Sequence, residues 1–154
     1  MAFEHHTNHQ MRFDQQVDNA RKYVVPFIQK TLSLKPGVRV LEIGCGEGGV
    51  LKPFYELGCE CIGVDLDQPR IDLAHQFLAK EIANGNMHIS NQNVFDESFT
   101  SKYKNYFDLI ILKDVIEHIH GQETFIPFMK SLLTASGQVF FGFPIGRASC
   151  RERV

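Results

Sequence analysis

Apolar positions along the chain recur with two different periods, and the alternation between them marks out its elements. From about Phe13 to Leu34, Val17, Ala20, Val24, Phe27, Ile28 and Leu32 recur mostly three or four residues apart, which predicts an amphipathic helix. Pro26 falls inside it and predicts a kink or a split, because proline removes a helix donor and crowds the preceding turn. Pro36-Gly37 ends the helix, and "VRVLEI", residues 38–43, is the first predicted strand. "VLKPFYEL" then reads as a helix beginning at Gly49 or Val50, which keeps Pro53 in the first turn, and Gly58 closes it. "CECIGVD" predicts a second strand. "DQPRIDLAHQFLAKEIANG" predicts one long helix with Asp67 as N-cap, Ile71, Ala74, Leu78 and Ile82 on one face, and a left-handed end at Asn84-Gly85. "MHISN", "YFDLIILKD" and "QVFFGF" supply three further strands, with a helix over "TFIPFMKSLL" and a turn at Gly137.

Strands that are apolar on both faces and separated by helices predict an α/β fold, a doubly wound, mostly parallel sheet with helices on both faces. Neither a repeat nor a linker interrupts the alternation. The expected organisation is an N-terminal helical segment over residues 1–37, a core over 38–144 and a tail over 145–154. In such sheets ligands bind beyond the carboxyl ends of the strands, where the first βα loop lies.

Composition narrows the partners. The chain has 154 residues, 44 % hydrophobic and 22 % charged, with a net charge of −2, so no basic field points to nucleic acid. No apolar run is long enough for a membrane span, and the N-terminus lacks the pattern of a signal peptide, so the expected location is cytoplasmic. Cys45, Cys59, Cys61 and Cys150 make neither a disulfide framework nor a C-x-x-C zinc knuckle. Cys59 and Cys61 alternate on the second strand and are expected to face one side as small hydrophobes. The last ten residues, "IGRASCRERV", follow "FFGFP" with no turn or helix logic and resemble the read-through translation of a sequencing adapter. They are set apart from the fold, and the core is expected to be incomplete.

Between the first strand and its helix stands "EIGCGEGG", in which Gly44, Gly46 and Gly49 satisfy G-x-G-x-x-G. The pattern alone fits a packing turn, a dinucleotide loop or another adenosine site. Glu42 discriminates between them. Two unit charges about 4 Å apart interact by roughly 4 kcal/mol at an effective dielectric near 20, so a carboxylate here repels a pyrophosphate and attracts a cation. Asp65 ends the second strand about 20 residues beyond the first glycine, the place from which a carboxylate accepts hydrogen bonds from ribose hydroxyls.

"VLEIGCGEGG", "CIGVDLD", "ISNQNVFD", "FDLIILKDVIEHI" and "LLTASGQVFFGFP", taken in order, resemble the successive motifs of the class I S-adenosylmethionine-dependent methyltransferases over about Val38 to Pro144. The resemblance implies a Rossmann-like sheet of seven strands, of which five are present here, with S-adenosylmethionine as cofactor. It implies that Glu42, Gly44, Cys45 and Gly46 line the methionine end, that Asp65 binds the ribose and Leu66 touches the adenine. Asn93 and Val94 then lie at the adenine edge and Lys113 at the mouth of the fourth strand. The family more often has Asp where Asn93 stands. His118 is the candidate general base, and the acceptor is expected to be a small molecule. Asp114, Glu117 and His118 also resemble the metal ligands of some methyltransferases, and His5, His6 and His9 cluster near the N-terminus, but no metal site is expected at either place. The alternatives are an NAD(P)-binding oxidoreductase, which Glu42 opposes, and a non-catalytic S-adenosylmethionine-binding domain, which a turnover assay would distinguish.

Overall fold

The computed structural model describes residues 8–113 and 120–142. Five strands, β1 (Arg39–Ile43), β2 (Glu60–Asp65), β3 (Met87–Asn91), β4 (Phe107–Lys113) and β5 (Leu133–Gly142), form one sheet in the order β3-β2-β1-β4-β5. Every pairing is parallel. The expected α/β architecture is therefore present, and the order reverses at β1, which places the carboxyl end of that strand at the crevice where such sheets bind ligands.

The helices are α1 (His9–Asn19), α2 (Val25–Ile28), α3 (Leu51–Glu56), α4 (Gln68–Phe77), α5 (Ala79–Ala83), α6 (Glu97–Lys102) and α7 (Gln122–Leu132). Strand alternation assigns them to two faces. Val40, Cys61, Leu109 and Ile111 share one apolar cluster with Phe13, Val17, Ile28, Phe54, Ala74 and Leu78, contributed by α1 to α4 and the residue after α4. Leu41, Ile43, Ile62, Ile110 and Leu112, one residue out of step, share the other with Phe99, Phe125 and Met129 from α6 and α7. The N-terminal helices are thus built into the core of the sheet. Cys59 and Cys61 lie in the first cluster, fully buried, as the alternation predicts. Among the described residues no helix is long and apolar enough to cross a membrane.

Four elements depart from the sequence reading. The long N-terminal helix passes through a π-helical turn at Ala20–Val24, in which the Val25 N–H donates to the Ala20 carbonyl. The wider turn relieves the Lys22 carbonyl, to which Pro26 offers a ring and no donor. The helix expected over residues 67–85 is divided at Leu78, which leaves helical geometry and is wholly buried. Helix α6 was not anticipated, because "ESFTSK" carries one apolar residue, Phe99, and shows no period. Gly137 is not a turn between elements but lies within β5, where β4 advances two residues while β5 advances five. A Cβ on Gly137 would sit 2.8 Å from the Phe107 carbonyl oxygen, so only glycine lets the bulged strand approach its neighbour.

Candidate functional site

The period of β1 decides where Glu42 goes. Two residues on from Val40, it faces the side covered by α1, and it is only 2 % exposed. Beyond it the chain turns back through left-handed Gly44 (φ 73°) and Gly46 (φ 54°). The N–H groups of Gly44 and Cys45 both donate to the Val64 carbonyl, at 2.8 and 3.0 Å, which ties the loop to the end of β2. The Gly46 N–H donates to Asp65 Oδ2 at 2.8 Å and the Asp67 N–H to Oδ1 at 2.9 Å. Both carboxylate oxygens are therefore held by backbone, and each keeps capacity for another donor. Asp67 in turn caps α4 by accepting from the Arg70 N–H, as its sequence position predicts.

Two cavities meet at this loop, sharing Gly44 and Asp65. The polar one, about 410 Å³, is lined by Arg12, Gln16, Glu42, Cys45, Gly46 and Lys113, among others. The other, about 240 Å³, is mainly apolar, with Val64, Leu66, Asn93, Val94, Phe95 and Phe125 in its walls. All nine residues expected at a cofactor thus line one or other half of a single cleft. Asn93 Oδ1 accepts the Phe95 N–H at 3.0 Å, which orients the side chain with its amide N–H₂ left to donate. The Asn91 side chain donates to the Leu66 carbonyl at 3.0 Å and fixes the loop beneath that exposed leucine.

A larger hollow of about 560 Å³ flanks β3, between His75, Ile82, Tyr103 and Tyr106, and holds none of the expected site residues. Its position at the sheet's side, away from the strand-order reversal, argues against it as the principal site.

Burial pushes the Cys45 thiol well above its usual range, and the carboxylates of Glu42 and Asp65 push it further. The residue is a neutral wall of the cleft rather than a nucleophile. Among the described residues no three His, Cys, Asp or Glu side chains are disposed to hold a metal. Asp114, Glu117 and the expected base His118 lie outside the described residues. His9 stands in the first turn of α1 with Nδ1 3.7 Å from Glu47 Oε1.

Sequence reasoning missed Arg12, Gln16, Phe95 and Phe125. Phe95 had a local signal, an apolar residue directly after Asn93-Val94. Arg12 and Gln16 had none, because only the packing of α1 on the loop brings them to the cleft.

The loop, the carboxylate at the end of β2 and the two-part cleft come together in one α/β domain. Residues 8–150 match the methyltransferase-domain family, and the chain belongs to it. Over 108 residues it is 32 % identical to a ubiquinone biosynthesis O-methyltransferase of Rhodopseudomonas palustris, covering 70 % of this chain and 40 % of that protein. The chain therefore spans about two fifths of that relative's length. Its fold is similar to that of a candidate S-adenosyl-L-methionine-dependent methyltransferase from Methanococcus maripaludis, with a TM-score of 0.71 at 16 % identity, covering 90 % of this chain and 62 % of that one. It is also similar to phosphoethanolamine N-methyltransferase 2 of Haemonchus contortus in complex with S-adenosyl-L-methionine, with a TM-score of 0.64 at 21 % identity, covering 83 % and 30 %.

Proposed function

We propose that the chain forms the S-adenosylmethionine-binding part of a methyltransferase acting on a small molecule. The observation that carries the reading is the charge pattern of the cleft: the carboxylates Glu42, which is buried, and Asp65 share the polar half with the cations Arg12, Arg70 and Lys113, while the other half is apolar. A zwitterionic amino acid joined to an adenosine needs these surroundings, whereas a pyrophosphate beside Glu42 is repelled. In this reading Arg12 pairs with the cofactor's carboxylate, Glu42 and the loop of Gly44, Cys45 and Gly46 hold its ammonium end, and Asp65 accepts from the ribose hydroxyls. Leu66, Val94 and Phe95 enclose the adenine, to which the Asn93 amide donates, and Lys113 borders the opening toward the acceptor.

The cofactor supplies a methyl group on a positively charged sulfur. The protein's share is to hold that carbon in line with the acceptor atom, a contribution made mostly by orientation. His118, five residues past the end of β4, is the general base where the acceptor must lose a proton. The ubiquinone biosynthesis O-methyltransferase relative supports a small-molecule acceptor. Residues 38–144 are proposed as the core of the domain and residues 1–37 as its N-terminal helical segment, within a family match that runs from residue 8 to residue 150.

Calorimetry tests the reading. Titration with S-adenosylhomocysteine should give saturable binding and titration with NAD none, and Asp65→Ala should weaken the former by roughly 1 to 3 kcal/mol. Preferential binding of NAD, or an Asp65→Ala variant of unchanged affinity, would overturn it.

A further inference from the structure

Helix α1 meets the glycine loop along one face, on which Arg12 and Phe13 each stand three or four residues from both His9 and Gln16. Phe13 is buried and stacks at 4.9 Å on Phe77, while Arg12 and Gln16 line the polar half of the cleft. The approach is close: a Cβ on Gly49 would lie 2.9 Å from the Phe13 carbonyl oxygen and 2.7 Å from Gln16 Cβ. The last glycine of the motif thus serves the helix.

Glu47 has no role in the cleft, whose cavities it does not line. It is wholly buried, and neither carboxylate oxygen has a hydrogen-bond partner among the described residues. Its one ion-pair partner among them is His9. A carboxylate withdrawn from water without hydrogen bonds is strongly unfavourable unless a counter-charge is brought to it. The complementary need exists in α1. Its first turn holds no acidic residue to complement the positive end of the helix dipole, and Glu47 is the carboxylate that the contact with His9 brings to it.

We propose that Glu47 is a positioning residue. Its carboxylate holds His9 and so fixes the first two turns of α1 across the loop, which presents Arg12 and Gln16 to the cofactor. The consequence for binding rests on the cofactor reading above; the anchoring of α1 does not.

The test pairs two readouts on the whole chain for Glu47→Gln, His9→Ala, His9→Lys, Arg12→Ala and the double variant Glu47→Gln/Arg12→Ala. In the ligand-free protein, amide hydrogen exchange of Arg12 to Asn19 should accelerate about fivefold or more in Glu47→Gln and in His9→Ala, with the amides of β1 unchanged. His9→Lys, which places an ammonium within reach of Glu47, should return it toward wild type. Affinity for S-adenosylhomocysteine should fall about fivefold in Glu47→Gln and in Arg12→Ala, and the double variant should bind no more than about twofold more weakly than Arg12→Ala alone, because Glu47 acts through Arg12. Unaccelerated exchange in both anchor variants, or losses that simply multiply in the double variant, would overturn the proposal. A wild-type chain that binds no S-adenosylhomocysteine would instead overturn the cofactor reading and the positioning role with it, whether or not α1 exchange responds.

Discussion

At the scale of single residues, the buried cysteines have the most direct consequence. Burial raises the Cys59 thiol from 9.0 to about 11, and raises Cys61 well above its usual value. The unfolded chain releases these protons near pH 9 while the folded chain keeps them, so between pH 9 and 11 the folded state binds more protons and stability falls as pH rises. The slope is up to about 1.4 kcal/mol per pH unit for each such thiol. Urea unfolding across that window should show the decline, and Cys59→Ala should make it shallower while lowering stability at pH 7; an unchanged slope would contradict this account. The same burial explains how much of the site can be read from sequence. Glu42 and Asp65 are legible because each stands at a fixed step from the glycines, near or at the end of an apolar strand, where a carboxylate needs a purpose. Arg12 is illegible, since nothing near it in the chain states which surface its helix will cover.

Among the elements, α1 is held where a missing side chain permits. Gly49→Ala would drive a methyl against Gln16 Cβ and the Phe13 carbonyl, and neither the backbone nor the stem of a buried contact yields easily. The substitution should cost about 1 to 3 kcal/mol in a denaturant melt and weaken S-adenosylhomocysteine binding as α1 lifts; a variant of wild-type stability would show that the helix is not tightly seated. The strands and the order of helices between them are legible because an apolar run bounded by Gly or Pro needs no knowledge of its neighbours. Three of the four departures depend on neighbours. The division at Leu78 goes with burial of a leucine under Gly48, and the bulge near Gly137 reflects the approach to the backbone of β4. Helix α6 is held by one buried phenylalanine. The π-turn is the exception, announced by Pro26 but with its form left open between a kink and a split.

For the molecule as a whole, the sheet ends in β3 on one side and β5 on the other, and among the described residues no strand pairs with the outer side of β5, the strand that carries Phe141, 39 % exposed. An apolar edge of this kind templates association between copies. The 154-residue chain should therefore self-associate with rising concentration in light-scattering chromatography, and Phe141→Lys should shift it toward monomer; identical, concentration-independent monomer profiles for both would refute this. The strand order has a further consequence, for the chain as it is made. β1, β2 and β3 are adjacent in both sequence and sheet, so half of the structure can assemble as it leaves the ribosome. β1 nevertheless waits for its second neighbour until Phe107–Lys113 has been synthesised. During that interval a finished strand from the centre of the future sheet stands exposed along one side, and a chaperone that shields it would be protecting the same strand that carries Glu42.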